Sequence, residues 1–192
     1  KSGKISAENS VRSIHKVPHG TGLGYASEIE RISMVYEQDE LGIPNSIIAK
    51  FPTNAATTRA IATLFNLYFN EVMFYKTLSP SIDTLTPECF WAEIDEESLT
   101  ERFTSYITNF LPEKLLLKML DKSFKRASTN SRKSLLLLED LSSYRLGDQV
   151  LGCNHTDAEA ALRTLSKFQS TFWGQTFQNS SWIQGGADKC VL

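Results

Sequence analysis

Cysteine and histidine are scarce in this sequence, with three of each among 192 residues. Cys89, Cys153 and Cys190 are odd in number, far apart, and form no C-x-x-C pair. Neither a disulfide frame nor a zinc site is expected from them, and they read as the reduced thiols of a cytoplasmic protein. An excess of one charge is lacking as well. The formal net charge of −2 offers no polycationic surface for nucleic acid and no basic patch for a membrane face, so neither is expected as a partner. No apolar run approaches the ~20 residues that span a bilayer, and no signal-peptide core opens the chain. The first residue is Lys1, and the sequence runs out through a polar Gly-Gly stretch before Leu192 with no closing element. A piece of a longer protein is the expectation.

What is present begins with a hydrophobic fraction of 41%, enough for one well-buried domain or a lobe with part of another. Val11 to Val17 alternates in the manner of a strand and leads into a glycine-rich turn, H-G-T-G-L-G-Y-A-S at His19 to Ser27. Gly20, Gly22 and Gly24 let the backbone take positive φ and approach a ligand with no Cβ in the way, leaving N–H groups free for oxygens. The spacing is not G-x-G-x-x-G, and no Walker lysine follows, which argues against a dinucleotide fold or a P-loop. Ile32, Met34 and Tyr36 alternate as a second strand, and Gln38 to Gly42 is a polar hairpin loop. Ile47 to Phe51 is then a short apolar strand whose only charge is Lys50. A cation in such a run needs a partner or an anionic ligand.

Helical spacing supplies the partner. Pro52 to Ala56 breaks the strand, Thr57 or Thr58 suits an N-cap, and one helix is expected from Thr57 to Leu78. Ile61, Leu64, Tyr68, Tyr75 and Leu78 mark its packed face, and Glu71 falls on that face. Three readings of Lys50 and Glu71 are open: Glu71 reaches water at the edge of the stripe, the two form a structural ion pair only, or they form a phosphate clamp. The glycine turn upstream favours the clamp. In it the backbone of Gly20 to Gly24 and the Ser27 side chain meet phosphates, Lys50 binds the α- and β-phosphates, and Glu71 orients Lys50. His15 and His19 have no acid at fixed spacing and read as surface or turn residues.

Downstream, Phe90-Trp91-Ala92 marks a short strand. Residues 95–130 carry two amphipathic helical stretches, Phe103 to Phe110 and Leu115 to Phe124, inserted where a hairpin would suffice. This insertion either covers a sheet edge or selects a substrate. Leu135 to Leu138 is an apolar strand ended by Glu139-Asp140. Asp157 to Trp173 returns to helix, with Ala161, Leu165, Phe168 and Phe172 on one face. Asp148 reads as a loop residue.

Four motifs in order, G-x-G-Y-A-S at Gly22 to Ser27, I-A-K-F-P at Ile48 to Pro52, F-N-E-V-M-F-Y-K-T-L at Phe69 to Leu78 and L-L-L-E-D-L at Leu136 to Leu141, resemble the aminoglycoside-phosphotransferase-like small-molecule kinases. The similarity is greatest to the ecdysteroid-kinase-like and choline-kinase-like branch. It implies an α+β, protein-kinase-like N-terminal lobe, an antiparallel sheet of about five strands with one packed helix. The ATP-binding lobe would occupy 1–141, including the insertion, and 142–192 would be the exit from the hinge and the start of a C-terminal lobe. The resemblance also implies that main-chain groups of Glu139, Asp140 and Leu141 hold adenine, with side chains there mattering less. In the family an H-G-D-x-x-x-x-N loop and a later aspartate supply the acceptor-orienting carboxylate and the magnesium ligands. The sequence contains neither. Leu146-Gly147-Asp148 to Asn154 has the wrong leading residue and one residue too many. The implied activity is ATP-dependent phosphorylation of a hydroxyl on a small molecule by the intact parent, with this segment inactive alone. The competing class is a non-catalytic, kinase-like binding module. A purely structural helical adaptor would instead leave Lys50 exposed.

Overall fold

The structure is a computed structural model that describes residues 6, 8–18, 26–83, 86–95, 125, 133–145, 147–148, 150–174 and 182–183. Gly20, Gly22, Gly24, His19, Cys190 and nearly all of the insertion lie outside those residues. Strands β1 (Val11–Pro18), β2 (Ser27–Tyr36), β3 (Ser46–Pro52), β4 (Cys89–Ile94) and β5 (Ser134–Glu139) form one antiparallel sheet in the order β1-β2-β3-β5-β4. Between β3 and β4 come helices α1 (Ala56–Leu64) and α2 (Leu67–Met73), and α3 (His155–Phe172) follows the sheet. This is the α+β lobe that the sequence implies. Among the described residues, no helix is long and apolar enough to cross a membrane.

The order explains the composition of each strand. β3 and β5 are central, and they hold the buried Ile47, Ala49, Leu136 and Leu138. β1 is an edge, exposed along its whole length, which is where Pro18 can sit without breaking a ladder. The core is small: Val72 of α2 packs onto Leu136 and Leu138, with Tyr75, Cys89, Ala92 and Ile94 around them. Burial raises the pKa of the Cys89 thiol, although its contact with the Trp91 carbonyl pulls the other way. That suits a packing residue better than a reactive one.

The expected single helix is two. Asn66 takes a left-handed conformation, φ 55°, and ends α1 while starting α2: its N–H donates to the Thr63 carbonyl and its own carbonyl accepts from Asn70 N–H. The phase of the stripe changes at this break. Tyr68, Val72 and Tyr75 face the sheet, but Ile61 is 43% exposed. Nor does Thr57 or Thr58 cap α1. Its N-cap is Ala55, which has no capping side chain, and the Ala55 N–H is satisfied by Thr53 Oγ1 at 3.2 Å. After α2 the chain continues as a π-turn, Phe74–Leu78, and a 3₁₀ turn, Ser79–Ser81. Asparagine tolerates φ > 0 better than other non-glycine residues. Asn66→Gly is therefore expected to leave the melting temperature within a few degrees of wild type, while Asn66→Val lowers stability by roughly 1–2 kcal/mol in denaturant titration.

The insertion leaves and rejoins the sheet at a clasp. Asp95 N–H donates to the Lys133 carbonyl and Lys133 N–H donates to Asp95 Oδ2, both at 2.9 Å. β4 and β5 are thus a hairpin closed at its own root. Helix α3 begins at Asn154, whose Oδ1 accepts from Asp157 N–H. It is largely exposed, with Phe168 resting 6.4 Å from Phe74 between ring centres.

Candidate functional site

β3 carries Lys50 and α2 carries Glu71, and packing of Val72 onto β5 sets the distance between them. Lys50 pairs in register with Ile29 of β2 and Leu136 of β5, so it sits in the middle of the sheet. The Glu71 side chain comes from the same helix face as Tyr68 and Tyr75, and Lys50 Nζ donates directly to Glu71 Oε1. The two side chains are 27% and 31% exposed. They meet at the boundary of the core, so Glu71 is less deeply set than the helical pattern suggests. A half-exposed pair contributes about 1 kcal/mol or less to stability. An apolar residue on this central strand would serve the fold as well.

Tyr68 links the helix to the start of β2. Its hydroxyl donates to the Ala26 carbonyl, which also accepts from Thr53 N–H at 3.3 Å. Ala26 directly precedes β2, so α2 holds both Lys50 and the start of that strand. Burial raises the Tyr68 pKa. Burial, then the Glu71 charge and then Cys89 push Tyr75 up to about 12. Both phenols stay neutral near Glu71 at physiological pH. Ser27 opens β2 opposite Pro52. Strand alternation puts it on the Lys50 face, two positions nearer the turn than Ile29.

At the other end of β5, Glu139 and Asp140 are tied down by their side chains. Glu139 N–H donates to the Glu88 carbonyl at 2.8 Å, and its Oε2 accepts from Glu88 N–H at 3.1 Å. The Glu139 N–H is therefore committed within the protein. The Asp140 carboxylate is 6% exposed. It accepts from Ser46 Oγ at 2.7 Å and Ser142 N–H at 3.0 Å, and its Oδ2 lies 2.9 Å from Arg31 Nε. Burial pushes its pKa up, but the Ser46 and Ser142 hydrogen bonds and the Arg31 charge outweigh that and leave it lowered. A carboxyl whose pKa falls on folding stabilises the fold above its unfolded value. That contribution fades as acid carries the pH down through the folded value. Leu141 N–H has no acceptor among the described residues, whereas its carbonyl accepts from Tyr144 N–H.

Sequence reading missed Arg31 and Ser46. Each is a polar residue in an otherwise ordinary strand, and their common partner is distant in the chain. Asp148 is a loop residue, its Oδ1 accepting from Val150 and Leu151 N–H. Among the described residues no group of three His, Cys, Asp or Glu side chains could hold a metal ion. His15 lies on exposed β1.

No curated protein and no solved structure matched the chain. The family model described as the ecdysteroid kinase-like family matches residues 21–172, a span that holds Lys50, Glu71, four of the five strands and the three helices. The order of strands, the lysine paired to a helix glutamate and that match agree: the chain belongs to the ecdysteroid kinase-like family of small-molecule phosphotransferases and has a kinase-like fold.

Proposed function

We propose that the chain is the nucleotide-binding part of an ATP-dependent phosphotransferase acting on a hydroxyl of a small molecule. The observation that carries this is the Lys50–Glu71 pair on the face of the sheet at the end where β2 begins. In the proposed complex Lys50 contacts the α- and β-phosphates, Glu71 fixes the ammonium group, and the backbone of Gly20 to Gly24 and the Ser27 side chain lie against the phosphates. Adenine lies at the main chain of Glu139 to Leu141, where Leu141 N–H is the donor still available. In the reaction the terminal phosphoryl group passes to the acceptor oxygen, the hydroxyl loses its proton, and ADP leaves. Magnesium bound with ATP would offset the phosphate charge.

The test is phosphate transfer by the full-length protein from ATP to a panel of steroid, choline-like and sugar hydroxyls. Transfer to any of them supports the proposal. Tight ATP binding with no transfer would assign a non-catalytic nucleotide-binding module, and absence of ATP binding would overturn the reading. Glu71→Gln keeps the shape but loses the charge. It is expected to raise KM for ATP and cut transfer by about tenfold. Combined with Lys50→Met it should add little further loss, because the two residues act as one unit. Simple additivity would mean that the pair does not work together.

A further inference from the structure

We infer that Arg31, Ser46 and Asp140 form a clamp that positions the main chain at Leu141 for a purine base. The inference rests on the nucleotide reading above. Its three residues come from three segments that the sheet brings side by side: β2, the first residue of β3, and the residue just past β5. The β3–β5 ladder ends at Ile47 and Glu139, so the next step of the register sets Asp140 opposite Ser46. Arg31 reaches across β3 from its place beside Ile48.

Four contacts converge on one carboxylate. Ser46 Oγ donates at 2.7 Å, Ser142 N–H at 3.0 Å and Arg31 Nη2 at 3.5 Å, and Arg31 Nε stands 2.9 Å from Oδ2. A buried ion pair gives little net stability over an apolar replacement, since desolvation consumes most of the attraction. What such a group does supply is a fixed position. Glu139 is held on the opposite flank through both its N–H and its carboxylate to Glu88. The Asp140 turn with Ser142 N–H then bends the chain so that Leu141, between two pinned neighbours, presents a main-chain donor without an acceptor among the described residues.

The placement along β3 matches a nucleotide. Ser46 and Lys50 are four residues apart on the same face of one strand, ~13 Å at the usual strand rise. The clamp stands at one end and the lysine at the other. A base at Leu141 and phosphates at Lys50 would span that distance. Arg31, Ser46 and Asp140 are accordingly positioning residues, since they act on the base through the main chain.

Equilibrium binding to the full-length protein separates the two ends, with adenosine as the probe for the base and inorganic tripolyphosphate as the probe for the phosphates. Ser46→Ala, Arg31→Met and Asp140→Asn are expected to weaken adenosine binding by about tenfold or more, to leave tripolyphosphate binding unchanged, and to raise KM for ATP more than they lower kcat. Arg31→Lys, which keeps the charge but not the two-nitrogen contact, should fall between wild type and Arg31→Met. Ala62→Gly, a buried position of α1 away from the clamp, controls for general destabilisation and should lower the melting temperature without altering adenosine affinity. Clamp variants that bind adenosine as wild type does, or that lose both probes in parallel, would overturn the clamp. Wild-type protein that binds neither probe would overturn the nucleotide reading itself. Ser46→Ala removes one hydroxyl only and keeps the test decisive if Asp140→Asn does not fold.

Discussion

Lys50→Met is expected to lower ATP-dependent transfer by the full-length protein about a hundred- to a thousandfold while the protein still unfolds cooperatively. The magnitude is that of removing one charged or hydrogen-bonding group aimed at phosphoryl or oxyanion charge. Methionine keeps the unbranched length of the side chain and lets it pack against Ile29 and Leu136, its neighbours in register. Glu71 then loses its partner, but with 31% of its side chain exposed it retains water, so the stability change should stay within about 1 kcal/mol. Activity and folding are therefore separable at this position. Phosphate-transfer assays alongside thermal unfolding provide the check. Turnover equal to wild type would remove the phosphate role of the lysine, whatever the protein's stability.

The largest loss of stability is expected from Leu136→Ala, about 2–5 kcal/mol, out of a total that is typically 5–15 kcal/mol for a domain. Leu136 is 3% exposed, lies under Val72, and is flanked in the sheet by Lys50 and Ala92. A cavity there cannot be filled by a neighbour without moving α2, and Glu71 moves with α2. Transfer should consequently fall together with the denaturation midpoint. Leu141→Ala serves as the comparison, since its side chain is 37% exposed and its truncation should change stability little. Chemical denaturation of the two variants side by side decides the matter. Equal midpoints would show that the core does not rest on Leu136.

The contrast between these leucines indicates what a reader of the sequence can and cannot see. Lys50 and Glu71 were legible because each breaks a local apolar pattern, the lysine in a strand and the glutamate in a helical stripe, and a burial conflict reports itself within a few residues. The five strands were legible for the same reason. The break at Asn66 was not, because one polar residue in a helical stretch looks like a solvent-facing position until its φ of 55° is known. The start of α1 was misplaced because Ala55 carries no cap while threonines lie just beyond it. Local pattern shows Asp140 only as the end of an apolar strand, and the family resemblance adds only a main-chain role. Its meaning depends on Ser46 and on Arg31, 109 residues away, and only strand pairing brings them together. The glycine turn, the most conspicuous feature of the sequence, falls outside the described residues. What the fold adds is the tie from Tyr68 to Ala26, where the chain enters β2.

Closure of the β4–β5 hairpin by Asp95 and Lys133 has a practical corollary for protein engineering. Because the ladder is already sealed at Asp95 and Lys133, lengthening the chain between them adds only a slowly growing entropic penalty. Extra residues added there should leave Lys50 and Glu71 paired.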